Sequence, residues 1–124
     1  MAIDVTKYGL DMRCEMLLSD FVDRLPMYEE MRKAVEGILH DMAQINNIYL
    51  TGLETRVKSV DSLAGKLELK GHKYRSLFDL TDLVGARIIT FYIDEIDKVA
   101  ALVDKVFDID WKNSVDKRKM HELN

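Results

Sequence analysis

The chain has one cysteine, one proline, one tryptophan and no apolar run approaching the length of a membrane span. A single cysteine, Cys14, rules out an internal disulfide framework and fits a reducing cytoplasm. Without a long apolar run no membrane helix is expected, and the opening Met1-Ala2-Ile3-Asp4-Val5-Thr6-Lys7 lacks the basic-then-apolar layout of a secretory signal. His40, His72 and His121 show no metal-ligand spacing and have no partner cysteines, which argues against zinc. Net positive charge is also missing: the formal charge is −4, so the domain as a whole is not a DNA-binding surface. There is no internal repeat and no low-complexity segment. At 124 residues the chain is at most one domain, and its 48% hydrophobic and 32% charged content is that of an ordinary soluble globular protein.

What is present is strongly periodic. Leu10, Cys14, Leu17, Leu18, Phe21 and Leu25 recur at helical spacing, as do Met27, Met31, Ala34, Val35, Ile38, Met42 and Ile45. Pro26 is tolerated in a first helical turn and not in mid-helix, so it separates two amphipathic helices, the second capped by Asp23 or a nearby polar group. The pair reads as an αα-hairpin over residues 1–45, with Cys14 as a small core residue on its stripe. From Asn46 to Lys58 the apolar positions suit a strand, with Thr51-Gly52 interrupting it as a bulge would. Ser59 is placed to cap a helix that buries Val60, Leu63, Ala64 and Leu67 and ends before Gly71, leaving Ser62 and Lys66 together on the opposite face. Ala86 to Ile93 is apolar on both alternating sets, the pattern of a central strand covered on both sides, with Asp94 stopping it and capping the next helix. In that helix Ile96, Val99, Ala100, Val103, Val106 and Phe107 keep the helical period. Asp108 to Asn124 is polar and mixed, anchored by Trp111 and Val115, and either begins another strand or frays.

The charge is unevenly distributed. Between Arg56 and Arg75 six Lys or Arg stand against two acids, a local net of +4, so the remainder carries −8. A basic island in an acidic protein suits a polyphosphate. Arg56 and Lys58, two apart in a strand, point to the same side, and Ser62 and Lys66 are i,i+4 on the helix that follows. With the amides of that helix's first turn they make a set that a triphosphate requires. The ordinary alternative is a solvated helix face, and Lys70, Lys73 and Arg75 are assigned to it. Asp82, just before an apolar strand, is placed to hold Mg²⁺ between phosphate oxygens; a turn cap is its alternative, and Asp79 competes for either role. Gly85 allows close backbone approach. Arg87 opens a strand read as buried, where a charge must be paired or reach a ligand. Tyr74 and Tyr92 could stack on a base but are assigned to packing.

On these residues, Arg56-x-Lys58, then Ser62 and Lys66 on a helix, then Asp82-Leu83-x-Gly85-x-Arg87 entering a strand, the chain resembles the synthetase domain of the RelA/SpoT family of alarmone synthetases. The likeness runs from about Tyr49 to the C-terminus, and the helices before it resemble those of the small single-domain members. It implies an α+β fold, a nucleotidyltransferase-like mixed sheet flanked by helices, with 46–124 as the ATP-binding portion. It also implies transfer of pyrophosphate from ATP to the 3′-hydroxyl of GDP or GTP. Carried over, Arg56, Lys58 and Lys66 hold ATP phosphates, Arg56 and Arg87 lie near the adenine, Ser62 adds a hydroxyl contact, and Asp82 ligates Mg²⁺.

The family continues into a Tyr-x-Ser-x-His segment that grips the guanine nucleotide and then a strand Glu. His121 and Glu122 lack that tyrosine, spacing and strand. The expectation is therefore a donor half-site: residues 1–124 alone bind ATP·Mg²⁺ without transferring pyrophosphate. Two other readings stand beside it, a non-catalytic nucleotide-binding or assembly module and a toxin-like relative that modifies tRNA 3′ ends. The two leading helices carry more apolar surface than so small a sheet can cover, so a homo-oligomer through them is expected.

Overall fold

The computed structural model describes residues 3–114; Val115, His121 and Glu122 lie outside the described residues. Among the described residues the fold is α+β, four α-helices and a two-stranded antiparallel sheet, with helices leading.

Helix α1 (Met12–Asp23) starts where the Asp11 carboxylate accepts the Cys14 N–H at 2.7 Å. Its expected stripe is its buried one: Cys14, Leu17, Leu18 and Phe21. Helix α2 (Leu25–Ile45) follows after Arg24 alone, with Pro26 in the first turn, where a missing N–H costs nothing. Asp23 is the last residue of α1 and does not cap α2; Arg24 takes the cap position with no side-chain bond. The face of α2 that packs is rotated from the expected one. It buries Tyr28, Leu39, Met42 and Ala43, while Met27, Met31, Ile38 and Ile45 are exposed. The helix is apolar on two adjoining faces, and the sheet can cover one.

Strand β1 (Leu50–Val57) pairs with β2 (Val84–Thr90) in the register Leu53 with Ile88, Glu54 with Arg87 and Arg56 with Gly85. The register shifts between Leu50 and Gly52, so the interruption at Thr51-Gly52 is indeed a bulge. Helix α3 (Val60–Lys70) joins the strands, begun by Ser59, whose Oγ accepts the Ser62 N–H at 3.1 Å. It buries Leu63, Ala64 and Leu67.

β2 is shorter and more open than its sequence suggests. The Thr90 hydroxyl donates to the Tyr92 carbonyl at 3.1 Å, and the carbonyls of Tyr92 and Ile93 accept the N–H groups of Glu95 and Ile96. The chain thus turns into helix α4 (Asp94–Val106) directly. Asp94 lies inside the first turn and is not the cap; its charge still suits the helix N-terminus. Phe91, Tyr92 and Ile93 fall off the strand and are exposed, so among the described residues β2 is not a central strand covered on both sides.

Two apolar clusters hold these elements. One joins α1 and α3 to Leu77, Leu80 and Leu83 and includes Tyr28, whose ring stacks on Phe21 at 5.5 Å. The other joins the second half of α2 to Ile48, to Leu53 and Ile88 of the sheet and to Val99 of α4. Of the two leading helices, α1 and Tyr28 of α2 serve the first cluster and the second half of α2 serves the other. No helix among the described residues is long and apolar enough to cross a membrane.

Candidate functional site

The fold brings together three charged side chains that are distant in sequence. The Lys58 N–H donates to the Leu83 carbonyl at 2.7 Å, extending the sheet by one bond and holding the end of β1 beside the segment that enters β2. Lys58 Nζ then donates to Asp82 Oδ2 at 2.9 Å. Lys66, in the second turn of α3, places Nζ 3.1 Å from the same oxygen. The side chains are 11%, 25% and 39% exposed for Lys58, Lys66 and Asp82, so the cluster is partly withdrawn from water. Burial alone would push the Asp82 carboxyl up; hydrogen bonds and charge from Lys58 and Lys66 outweigh it and hold the pKa below the ordinary value of 3.8. Burial would likewise lower Lys66, and its bond to Asp82 reverses that, leaving the ammonium above 10.5.

Two ammonium groups against one carboxylate leave this cluster with a net +1. Asp82 Oδ1 is buried and has no hydrogen-bond partner. An unpartnered hard oxygen beside cations fits Mg²⁺, provided the ion arrives with oxygen ligands and negative charge of its own. Among the described residues no group of three or more His, Cys, Asp or Glu is placed to hold a metal unaided. A single carboxylate plus phosphate oxygens is a common way for Mg²⁺ to be bound.

The other expected residues sit on the first turn of α3 and on the open face of the sheet. Ser62 is exposed in the first turn of α3, one turn before Lys66, and its N–H is already taken by Ser59. Arg56 lies across the sheet from Gly85, where a methyl group would meet the Arg56 side chain at 3.8 Å, an ordinary contact. Arg87 was expected to open a buried strand. It is 74% exposed and faces Glu54 across the strands at 4.0 Å, because its side of the sheet has no covering layer among the described residues. Arg56, Gly85, Arg87 and Glu54 border an open hollow of about 520 Å³ on that face. Lys70, Lys73 and Arg75 are exposed.

With this geometry in view, residues 55–124 match the family profile described as "Region found in RelA / SpoT proteins". The chain belongs to the RelA/SpoT family. Searches of curated proteins and of solved structures gave no match. The matched region takes in Arg56, Lys58, Ser62, Lys66, Asp82 and Arg87.

The RelA/SpoT region is also braced from outside its own span. Arg13 of α1 donates to the carbonyls of Gly71, at 2.7 Å, and Tyr74. The Tyr8 hydroxyl donates to Asp61 in the first turn of α3. The segment before α2 thus holds both ends of the helix that carries Lys66. Tyr74, assigned above to packing, sits with its ring centroid 5.6 Å from Lys66 Nζ, a cation–π distance. Nothing local in the sequence marks the partners of Arg13 and Tyr8, since each of those bonds spans more than fifty residues. Asp79 separates cleanly from Asp82: its Oδ2 accepts the N–H groups of Arg75 and Ser76 at 2.8 and 3.3 Å, so it is a turn cap.

Proposed function

We propose that Lys58, Lys66 and Asp82 form the donor site of an alarmone synthetase that transfers pyrophosphate from ATP to the 3′-hydroxyl of GDP or GTP. The observation that carries this is the convergence of two ammonium groups on one carboxylate oxygen, inside the region that matches the RelA/SpoT family. In the transfer the 3′-oxygen bonds to the β-phosphorus of ATP, the bond from that phosphorus to the α–β bridging oxygen breaks, and AMP leaves. The groups in flight are highly anionic, so the protein's work is alignment and charge neutralisation. Lys58 and Lys66 supply two such charges from a strand end and a helix, rigid elements that fix their positions. Arg56 and the Ser62 hydroxyl would add further contacts to the phosphates. Arg56 and Arg87, on the open sheet face, offer planar guanidinium groups to the adenine. Asp82 would hold Mg²⁺, whose contribution when bound is to offset phosphate charge.

Titration calorimetry with ATP in excess Mg²⁺ tests the donor site. Binding that depends on Mg²⁺ is expected, and none at millimolar ATP removes the reading. Thin-layer separation of labelled products, with GDP, GTP or tRNA offered as acceptor, then reports what receives the pyrophosphate. Binding without transfer to any acceptor favours the nucleotide-binding module.

Self-association goes with this reading. Met12 and Met16 of α1 and Met27, Met31 and Ile38 of α2 are exposed apolar side chains on the two leading helices. Covering them requires a second surface, and another copy of the chain offers the same one. Light scattering at high micromolar concentration is expected to give at least a dimer. A monomer there would remove the leading helices as an interface.

A further inference from the structure

We infer that Asp82 is a latch as well as a metal ligand: without nucleotide it holds both phosphate-binding lysines, so metal and polyphosphate gain access to the site only together. This rests on the reading of Lys58, Lys66 and Asp82 as the donor site. Both ammonium groups sit on one oxygen, at 2.9 and 3.1 Å, while the other oxygen, Oδ1, is buried and unpartnered. Two consequences follow from that charge arrangement.

A bare divalent cation meets a cluster of net +1 whose single carboxylate is already engaged, so it is repelled and finds few donors. A metal-free polyphosphate can draw the lysines toward itself only by taking them from Asp82. That strands a partly buried carboxylate with no cation and places it beside an incoming anion, which is costly. When metal and polyphosphate arrive together both costs vanish: phosphate oxygens receive Lys58 and Lys66, and the metal takes their place on Asp82. Each ligand therefore tightens the other beyond their affinity in solution, and by linkage the effect is equal in both directions. A site built this way binds free Mg²⁺ and free polyphosphate more weakly than it binds the two together.

The test is a reversal of sign at one residue. Asp82→Asn keeps the side-chain shape and removes the negative charge that holds both lysines. In EDTA, calorimetry with inorganic tripolyphosphate is expected to show Asp82→Asn binding more tightly than wild type, by roughly tenfold, a usual size for coupling between two ligands. In Mg²⁺ the same variant is expected to bind ATP more weakly than wild type. Metal-free tripolyphosphate affinity that is unchanged or lower in Asp82→Asn overturns the latch. If wild type binds ATP·Mg²⁺ while that reversal is missing, the latch alone fails; if wild type binds no ATP in any buffer, the donor-site reading fails with it. Should Asp82→Asn lose its circular dichroism signal, Mn²⁺ titrated without nucleotide and followed by electron paramagnetic resonance decides the matter. Wild type is expected to leave Mn²⁺ free at concentrations where Lys58→Gln/Lys66→Gln takes it up. Uptake of Mn²⁺ alone by wild type, or equal indifference in both proteins, overturns the latch.

Discussion

Replacing Lys66 by Ala is expected to weaken ATP·Mg²⁺ by roughly 10- to 150-fold, the range that about 1.5–3 kcal/mol for a hydrogen bond to a charged group implies. Lys70→Ala is expected to leave it within about twofold, as a remote exposed charge should in physiological salt. The two lysines are one helical turn apart on α3 and chemically identical, so the comparison isolates position. Lys66 reaches Asp82 and lies over the Tyr74 ring, whereas Lys70 ends the helix in solvent. Calorimetry in excess Mg²⁺ measures both. Equal losses would mean that the ligand reads the net charge of the basic island, and the face of α3 that carries Lys66 would revert to an ordinary solvated one.

Where local rules decide, the sequence is legible. Ser59 caps α3, because a hydroxyl in extended backbone just before an apolar helical stripe is a local signal. The stripe of α1 and the bulge at Thr51-Gly52 are legible for the same reason. Reading fails where a helix or strand has more apolar surface than the fold can use. In α2 two neighbouring faces are apolar, and periodicity cannot say that Leu39 and Ala43 turn inward while Met31 and Ile38 stay out. In β2 the run through Ile93 promises a covered strand, and the carbonyls of Tyr92 and Ile93 are instead taken by the first amides of α4.

The candidate site divides in the same way. Arg56, Lys58, Ser62, Lys66, Asp82 and Arg87 stand out by charge and spacing along the chain. The pairing of Lys58 and Lys66 with Asp82 requires the sheet register, in which the Lys58 N–H bonds to Leu83. Arg87 shows the converse error. A charge in an apolar run reads as buried, and the open sheet face makes it a surface residue opposite Glu54.

The other large effect concerns how α1 supports that helix. A methyl group built at Gly71 would stand 2.3 Å from Cys14 Sγ, far inside any tolerable contact, and 3.8 Å from Leu67 Cβ. The backbone is not the obstacle, since Gly71 has φ −58° and ψ −26°, which alanine adopts freely. Gly71→Ala is therefore expected to destabilise the protein through overpacking alone, by about 1–3 kcal/mol. It should also loosen the Lys66 surroundings, because the Gly71 carbonyl accepts both Arg13 and the Tyr74 N–H. Cys14→Ala removes the sulfur that the methyl group strikes. In that background the new methyl fills the space the sulfur leaves, so the double variant is expected to be more stable than the sum of the single changes allows. Urea denaturation of the four proteins gives the coupling directly. A full, undiminished cost of Gly71→Ala in the Cys14→Ala protein would show that the close approach of α1 to the end of α3 is not what requires glycine there.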